Sequence, residues 1–396
     1  MIVCDSAICV GCGACASVCP HNCIQMHPNG EGFTEPVVDT EKCVGCNLCK
    51  KVCPAIHINK SENFSQAFYL AWHKNRQTRF NSSSGGAFTA LAKAILDQNG
   101  YVIGAAYRGD FSVCHVAVSG EADLRRLRKS KYLQSDTTAV FALLEELLKK
   151  DVPILFTGTP CQCAAVRNRF PKADQIVTCD LICHGVQSPK FFLDSLHYME
   201  KELGGKCVSI DFRSKKKGWA NACTVEMVFD NGKTVNQRAN DIPVGAGFLR
   251  NLAIRKACEN CQYRTMERAS DITIGDFWAK RDDWFFIKKY GDLGYSSIIV
   301  NTEKGKLLLE QCTGELILEA KNEDEVKAQN NPLYKQFKPN PQRDCFFEDY
   351  QAMSYETLHN KYLLPNKKEI FRWHMRRLGR TTGIRNLYYA VRKRLR

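Results

Sequence analysis

Eight cysteines near the start of the chain set its chemistry. Cys9, Cys12, Cys15 and Cys19 are followed by Pro20, and Cys43, Cys46, Cys49 and Cys53 are followed by Pro54. The run C-x2-C-x2-C-x3-C-P is thus written twice. Three thiolates two residues apart can wrap one face of an iron–sulfur cubane, and a fourth, remote sulfur closes it. The spacing predicts two 4Fe-4S clusters with exchanged fourth ligands. One takes Cys9, Cys12, Cys15 and Cys53; the other takes Cys43, Cys46, Cys49 and Cys19. Gly11, Gly13 and Gly45 suit a backbone that turns tightly and brings N–H groups toward sulfur. A zinc ribbon would use paired ligands instead of triads with a matching fourth Cys and Pro. A disulfide framework would need an oxidising compartment. Cys4 and Cys23 fall outside the pattern and read as packed or free thiols.

The doubled run is that of bacterial two-cluster ferredoxins. It occupies residues 1–60, and over 300 of the 396 residues remain to use the electrons. That length allows two or three domains. No apolar run approaches the ~20 residues that span a bilayer. Met1 to Asp5 lacks the basic and apolar regions of a signal peptide. With twenty-one cysteines, the natural reading is a reducing cytoplasm and metal ligation.

The body must position whatever receives those electrons. Residues 61–68 read as a linker and Tyr69–Trp72 as a strand. Ser83-Ser84-Gly85-Gly86 then opens a helix over Ala87–Leu96. A small-residue loop before a helix is a ready anion site, although a plain N-cap has the same signature. Strands are predicted at 101–107, 113–118, 153–161 (running into a turn) and 175–183, with helices at 138–150, 162–170 and 189–203. This alternation predicts an α/β core with a largely parallel sheet. Sites then gather at strand carboxyl ends, where Cys161 and Cys183 fall. Further strands are expected at 208–212, 223–235 (a hairpin turning at Asn231-Gly232), 271–278, 296–300 and 315–318. A basic helix is expected over 248–256, before Cys258-x2-Cys261. That pair alone reads as a redox pair, half a zinc site or a surface accident. Cys161, at a helix N-terminus, reads as a reactive thiol or, with Cys183, Cys258 and Cys261, as part of a third cluster. Cys114, Cys163, Cys179, Cys207, Cys223, Cys312 and Cys345 read as small buried hydrophobes.

Seven segments in order carry a resemblance: Ser83–Leu91, Lys129–Tyr132, Gly158–Gln162, Ile182–Gly185, Phe212–Trp219, Cys258–Cys261 and Asp271–Trp278. Together they resemble the coenzyme F420 hydrogenase/dehydrogenase beta-subunit family, over roughly residues 1–310. The resemblance implies a mixed α/β body that binds FAD, with 66–205 as the family's N-terminal part and 206–320 as its C-terminal part. It implies a 4Fe-4S cluster on Cys161, Cys183, Cys258 and Cys261. It also implies flavin contacts from Ser83, Ser84, Gly85, Gly86, Lys131 and Thr159. The family's reaction is hydride exchange at the flavin coupled to one-electron transfer through clusters. An organic substrate, the deazaflavin coenzyme or an electron-carrying protein would be the partner. Two rival readings are an electron-relay subunit that feeds a partner enzyme and a non-enzymatic iron–sulfur binding protein. No residue is singled out as catalytic acid; His184 can simply pack.

Net charge is +14, of which residues 367–396 carry +10. Within residues 321–396, a charged region gives way to this basic tail, whose stretch 384–396 is expected to form an amphipathic helix. Such helices lie on anionic membrane surfaces or bind acidic partners. Peripheral attachment of a cytoplasmic protein at the inner membrane surface would follow. Nucleic acid is disfavoured because the remaining chain is nearly balanced.

Overall fold

The computed structural model describes residues 2–58, 64–219, 224–278, 283–336 and 338–365, with 367, 368, 370, 371 and 375. The stretch 384–396 and its expected amphipathic helix lie outside the described residues.

Strands β1 (Ile24–Pro28) and β2 (Thr34–Val38) form an antiparallel hairpin in the N-terminal unit. Two one-turn helices, Ala14–Ser17 and Leu48–Lys51, carry Cys15 and Cys49. Each opens on a left-handed residue, Gly13 (φ 77°) and Asn47 (φ 59°). That conformation costs Gly little and Asn less than most residues.

The body adds β3 (Ala67–His73), β4 (Tyr101–Tyr107), β5 (Val113–Val118), β6 (Ile154–Gly158), β7 (Ile176–Leu181), β8 (Cys207–Asp211), β9 (Thr224–Phe229), β10 (Thr234–Arg238), β11 (Ile272–Asp276), β12 (Ser296–Val300) and β13 (Leu316–Lys321). The fold is mixed α/β. Its main sheet has the order β13-β3-β12-β11-β7-β6-β4-β5. Only β4, β6, β7 and β11 run parallel to their neighbours in that core, and the flanking pairs are antiparallel. The expected largely parallel sheet is therefore half correct. The strand–helix alternation behind it is confined to residues 101–203, and β5 returns on β4 through a short turn, which forces antiparallel pairing. Strands from both sides of residue 206 share this sheet. Strands β8 to β10 form a separate three-stranded sheet, with the β9–β10 hairpin turning at Asn231-Gly232 as the sequence predicts.

The helix expected over 248–256 is displaced. It runs Pro243–Leu249, because Pro243 supplies the first-turn signal and left-handed Asn251 (φ 56°) ends it. Beyond residue 320 the chain is less loop-like than expected. Helices Arg343–Ala352 and Tyr355–Leu358 bury Phe346, Phe347 and Leu358 against Phe33 and Phe191. Among the described residues, no helix is long and apolar enough to cross a membrane.

The N-terminal unit is fastened to the body by buried polar contacts. Thr137 Oγ1 donates to the Cys12 carbonyl (2.8 Å), and Tyr263 Oη donates to the Pro54 carbonyl (2.7 Å). Ser188 Oγ donates to the Glu31 carbonyl (2.6 Å). Arg343, almost fully buried, pairs with Glu31 and donates to the Ile254 carbonyl. Buried backbone acceptors are costly to leave unpaired, so each contact holds the unit in one register.

Candidate redox centre

Two thiol groups occupy the N-terminal unit. Cys9, Cys12, Cys15 and Cys53 line one small cavity together with Cys4. Cys53, remote in sequence, thus sits with the first run. In the other group the Cys49 thiol feels Cys46 and Cys19, and Cys23 lies beside Cys19 (Sγ–Sγ 3.3 Å) and Cys43. The two thiols outside the pattern are therefore not scattered: Cys4 lies against the first group and Cys23 against the second. The Cys4 thiol bonds to Cys9 and Cys53, which lowers both of those and raises its own pKa.

The body cysteines form a third group. Thr159 and Gln162 begin the helix Pro160–Arg169, where the Thr159 N–H donates to Gln162 Oε1 (2.9 Å), and this turn presents Cys161. Cys183 follows β7. Cys258 ends a 3-10 turn, and Cys261 lies one turn further. The Cys183 thiol feels Cys258, Cys161 and Cys261 together. Gly185, at φ 150°, lets the chain pass so close to Cys258 that a Cβ there would stand 3.3 Å from the Cys258 Cβ. Burial pushes Cys161 up to about 12 and Cys258 up to about 11. Burial at Cys161 thus works against the reading of that thiol as a thiolate activated by its helix. Among the described residues no three His, Cys, Asp or Glu groups close tightly enough around a point to hold a single metal ion. A cubane is larger and takes sulfurs that stand further apart.

Of the remaining cysteines, Cys163, Cys179, Cys207 and Cys312 are buried as expected. Cys345 is exposed and Cys114 half-buried, which corrects the reading of those two. Cys223 lies outside the described residues.

A cavity of about 820 Å³ opens at the carboxyl ends of the parallel strands, where open α/β sheets bind ligands. Ser83, Ser84, Gly86, Lys131, Thr159 and Cys183 all line it. Gly85 does not: its N–H donates to Ser296 Oγ (3.0 Å), wedging it between β3 and β12. Ser83 Oγ accepts from the Ser130 N–H (2.9 Å), joining the small-residue loop to the segment that carries Lys131. Lys131 Nζ donates to the carbonyls of Arg126 and Arg128, and burial pushes its ammonium down to about 7. His184 also lines the cavity; its ring bonds to Asn251 Oδ1 (2.7 Å).

Several residues in or behind the cavity wall received no role from the sequence reading. Arg213 grips Asp276 with both terminal nitrogens (3.0 and 2.9 Å) and lies over the Trp278 ring. Lys215 Nζ donates to the Ser84 carbonyl (2.7 Å) and so pins the serine loop from behind. His115 stacks on Phe156, with Nε2 bonded to the Thr157 carbonyl and Nδ1 buried without a partner. Burial pushes its imidazole down to about 4, so it is neutral at ordinary pH. Arg213, Lys215, Asp276 and Trp278 lie in two of the resembling segments, Phe212–Trp219 and Asp271–Trp278. Spacing alone, however, cannot separate the basic run Arg213 to Lys217 from a solvated face, and nothing in the sequence marks His115.

The three cysteine groups and the cavity are contiguous. The Cys12 thiol feels Cys53 on one side and Cys161 on the other, and Cys183 faces the cavity. Arg255 stands between the first and third groups, as a charge that lowers Cys9, Cys161 and Cys258 alike.

Two stretches of the chain match known protein families. Residues 152–326 match the family described as the C terminus of the coenzyme F420 hydrogenase/dehydrogenase beta subunit, and residues 8–56 match the 4Fe-4S dicluster domain. The chain is 24% identical over 362 residues to the coenzyme F420-dependent sulfite reductase of Methanocaldococcus jannaschii. That alignment covers 86% of this chain and 51% of the relative, so the chain spans about half the relative's length. Among solved structures, a chain of the F420-reducing NiFe hydrogenase complex from Methanosarcina barkeri is similar at 18% identity and a TM-score of 0.45. The match covers 76% of this chain and 96% of that one.

Proposed function

We propose, for a chain that belongs to the coenzyme F420 hydrogenase/dehydrogenase beta-subunit family and carries a 4Fe-4S dicluster domain, an iron–sulfur flavoprotein oxidoreductase. Cys9, Cys12, Cys15 and Cys53 hold one 4Fe-4S cluster; Cys43, Cys46, Cys49 and Cys19 hold the second. Cys161, Cys183, Cys258 and Cys261 hold a third. The cavity holds FAD against Ser83, Ser84, Gly86, Lys131 and Thr159. The observation that carries this reading is the unbroken succession of thiol groups ending at a cavity whose wall includes Cys183.

The residues fit these groups on physical grounds. A volume of about 820 Å³ lies within the range of cofactor pockets. The small-residue loop opening the helix Ala87–Leu96 offers a positive dipole end to phosphate. The unpartnered Nδ1 of neutral His115 is a buried acceptor awaiting a donor. When bound, a flavin exchanges a hydride with an organic partner and single electrons with clusters. The chain's own part is to orient and to insulate. Lys215 fixes the serine loop, Arg213 and Asp276 neutralise each other in the wall, and Trp278, stacked on Trp219, adds apolar lining.

Protein purified without oxygen tests this directly. About twelve irons and one flavin per chain are expected on four-iron stoichiometry. About eight irons and no flavin would sink the reading. A second reading, an electron-relay subunit, is favoured by one surface: Val44 is 64% exposed and Leu48 36% exposed beside Cys46, itself exposed. That apolar rim suits transient docking of an electron-carrying protein. The substrate, whether an organic molecule or the deazaflavin coenzyme, and any attachment of residues 367–396 to an anionic surface belong to the same proposal.

Lys131 gives a pH dependence with a definite sign. With its ammonium held down to about 7, it is charged below that pH and neutral above it. Affinity of the apoprotein for FAD, which carries phosphate, should fall as pH rises through 7, by at most about tenfold per pH unit for one linked proton. Lys131→Arg, charged throughout, should flatten the profile measured by flavin fluorescence. A wild-type profile that is already flat would remove Lys131 from the phosphate contacts.

A further inference from the structure

One wall of the cavity comes from beyond the matched family region, which ends at residue 326. Residues 329–336 and Lys338 lie at the mouth, where Asn330, Lys335, Gln336 and Lys338 line the cavity. Their backbone is tied down on the third cysteine group. Gln336 Nε2 donates to the Cys261 carbonyl (2.8 Å), and Arg264 joins the Lys335 carbonyl (2.7 Å) to the His184 carbonyl (2.9 Å). Asn330 Nδ2 donates to the Asp276 carbonyl (3.0 Å), and Leu333 is fully buried beneath. Anchored this way, the segment leaves Lys335 and Lys338 exposed to solvent at the opening.

The charge of the lining is one-sided. Its cations are Arg128, Lys129, Lys131, Arg213, Arg264, Lys335 and Lys338, whereas Asp276 is its one acid among the described residues. Arg213 takes Asp276, and Lys129 pairs with Asp211 outside the cavity. No described carboxylate lies within ion-pair reach of Lys335 or Lys338; Lys335 rests on the Tyr334 ring instead. A concave site with surplus charge of one sign focuses its field and concentrates counter-ions. Two flexible ammonium groups on an anchored backbone suit an oxoanion, which each can meet as a point charge.

We propose that Lys335 and Lys338 form an anion subsite at the cavity mouth that selects a substrate bearing a carboxylate, phosphate or sulfur oxoanion and orients its reducible part inward. This rests on the flavin reading for the inner cavity. It differs in where it fails, because the lysines belong to the chain and bind with or without turnover.

The test is calorimetric titration of the anaerobically purified full chain with sulfite, inorganic phosphate and coenzyme F420 in turn. At least one should bind wild type, and the affinity should fall at least tenfold in the Lys335→Gln/Lys338→Gln variant, as expected for loss of charged hydrogen bonds. Lys335→Arg/Lys338→Arg should keep it, and added salt should weaken it. Which probe responds identifies the source of the oxoanion. Equal affinities in wild type and the Gln variant, or no binding of any probe, would overturn the subsite. Iron and flavin content are measured on the same samples. Full content with unchanged affinity sinks only the subsite, whereas missing flavin in wild type sinks the reading beneath it.

Discussion

Exchanging Cys258 and Cys261 together for serine should lower iron from about twelve to about eight atoms per chain. The flavin should loosen, and the two N-terminal clusters should stay spectroscopically intact. Both thiols sit in the partly buried group with Cys161 and Cys183, where the thiols act on one another. Serine keeps the size but offers a hard hydroxyl where iron and sulfide want a soft thiolate. The loss should stay local, because the N-terminal unit is held by Thr137, Tyr263 and Arg343, none of which is a ligand. Cys53→Ser is the matching control. That thiol shares a cavity with Cys9, Cys12 and Cys15, so its replacement should damage the cluster of the first run and spare that of the second. Electron paramagnetic resonance of the dithionite-reduced variants separates the outcomes. Unchanged iron in the Cys258/Cys261 variant removes the third cluster. Equal damage to both N-terminal clusters in Cys53→Ser contradicts the exchanged ligation.

The parts of this architecture that were legible in sequence are those encoded over short distances. The doubled cysteine run is local, so its spacing carries the chemistry. Strands such as β4 and β5 are bounded by their own apolar residues and turns. The Asn231-Gly232 hairpin announces itself for the same reason. What could not be read depends on residues far apart. The grip of Arg213 on Asp276 spans 63 positions. The antiparallel half of the main sheet depends on β3 pairing with β12 and β13, more than two hundred residues away. The mouth segment looked like charged loop, and only Leu333 packing inward with Gln336 on Cys261 makes it a wall. Gly85 shows the converse error. It shares the small-residue loop with Ser84 and Gly86, yet its N–H is consumed by Ser296. Composition cannot distinguish an amide aimed at a ligand from one spent on the neighbouring strand.

Arg255→Met should lower the reduction potentials of the first and third clusters and leave that of the second nearly unmoved. Arg255 is 3% exposed, and its guanidinium spans the joint between unit and body. It donates to the Cys9 carbonyl (2.6 Å), to Gln134 Oε1 (2.9 Å) and to the Thr34 carbonyl (3.1 Å). Its own carbonyl accepts from the Cys258 N–H (2.9 Å), so one residue touches both cysteine groups. A permanent positive charge stabilises an added electron on either side. At an effective dielectric near 20 and several ångströms, its removal is worth roughly 2 kcal/mol per electron, or on the order of 80 mV. Arg255 is not among the leading influences on Cys19 or Cys49, and the cluster of the second run serves as the internal reference. The substitution also strands three buried acceptors and leaves Glu35 (3.6 Å) without that cation. A stability loss of about 3 kcal/mol or more should accompany the shift. Arg255→Lys separates the two effects: it keeps the charge but not the fork, so potentials should recover while stability does not. Potentiometric titration followed by electron paramagnetic resonance reads all three clusters in one sample. Equal shifts in all three, or none at full cluster content, would show that Arg255 is a fastening and not a charge shared by neighbouring redox centres.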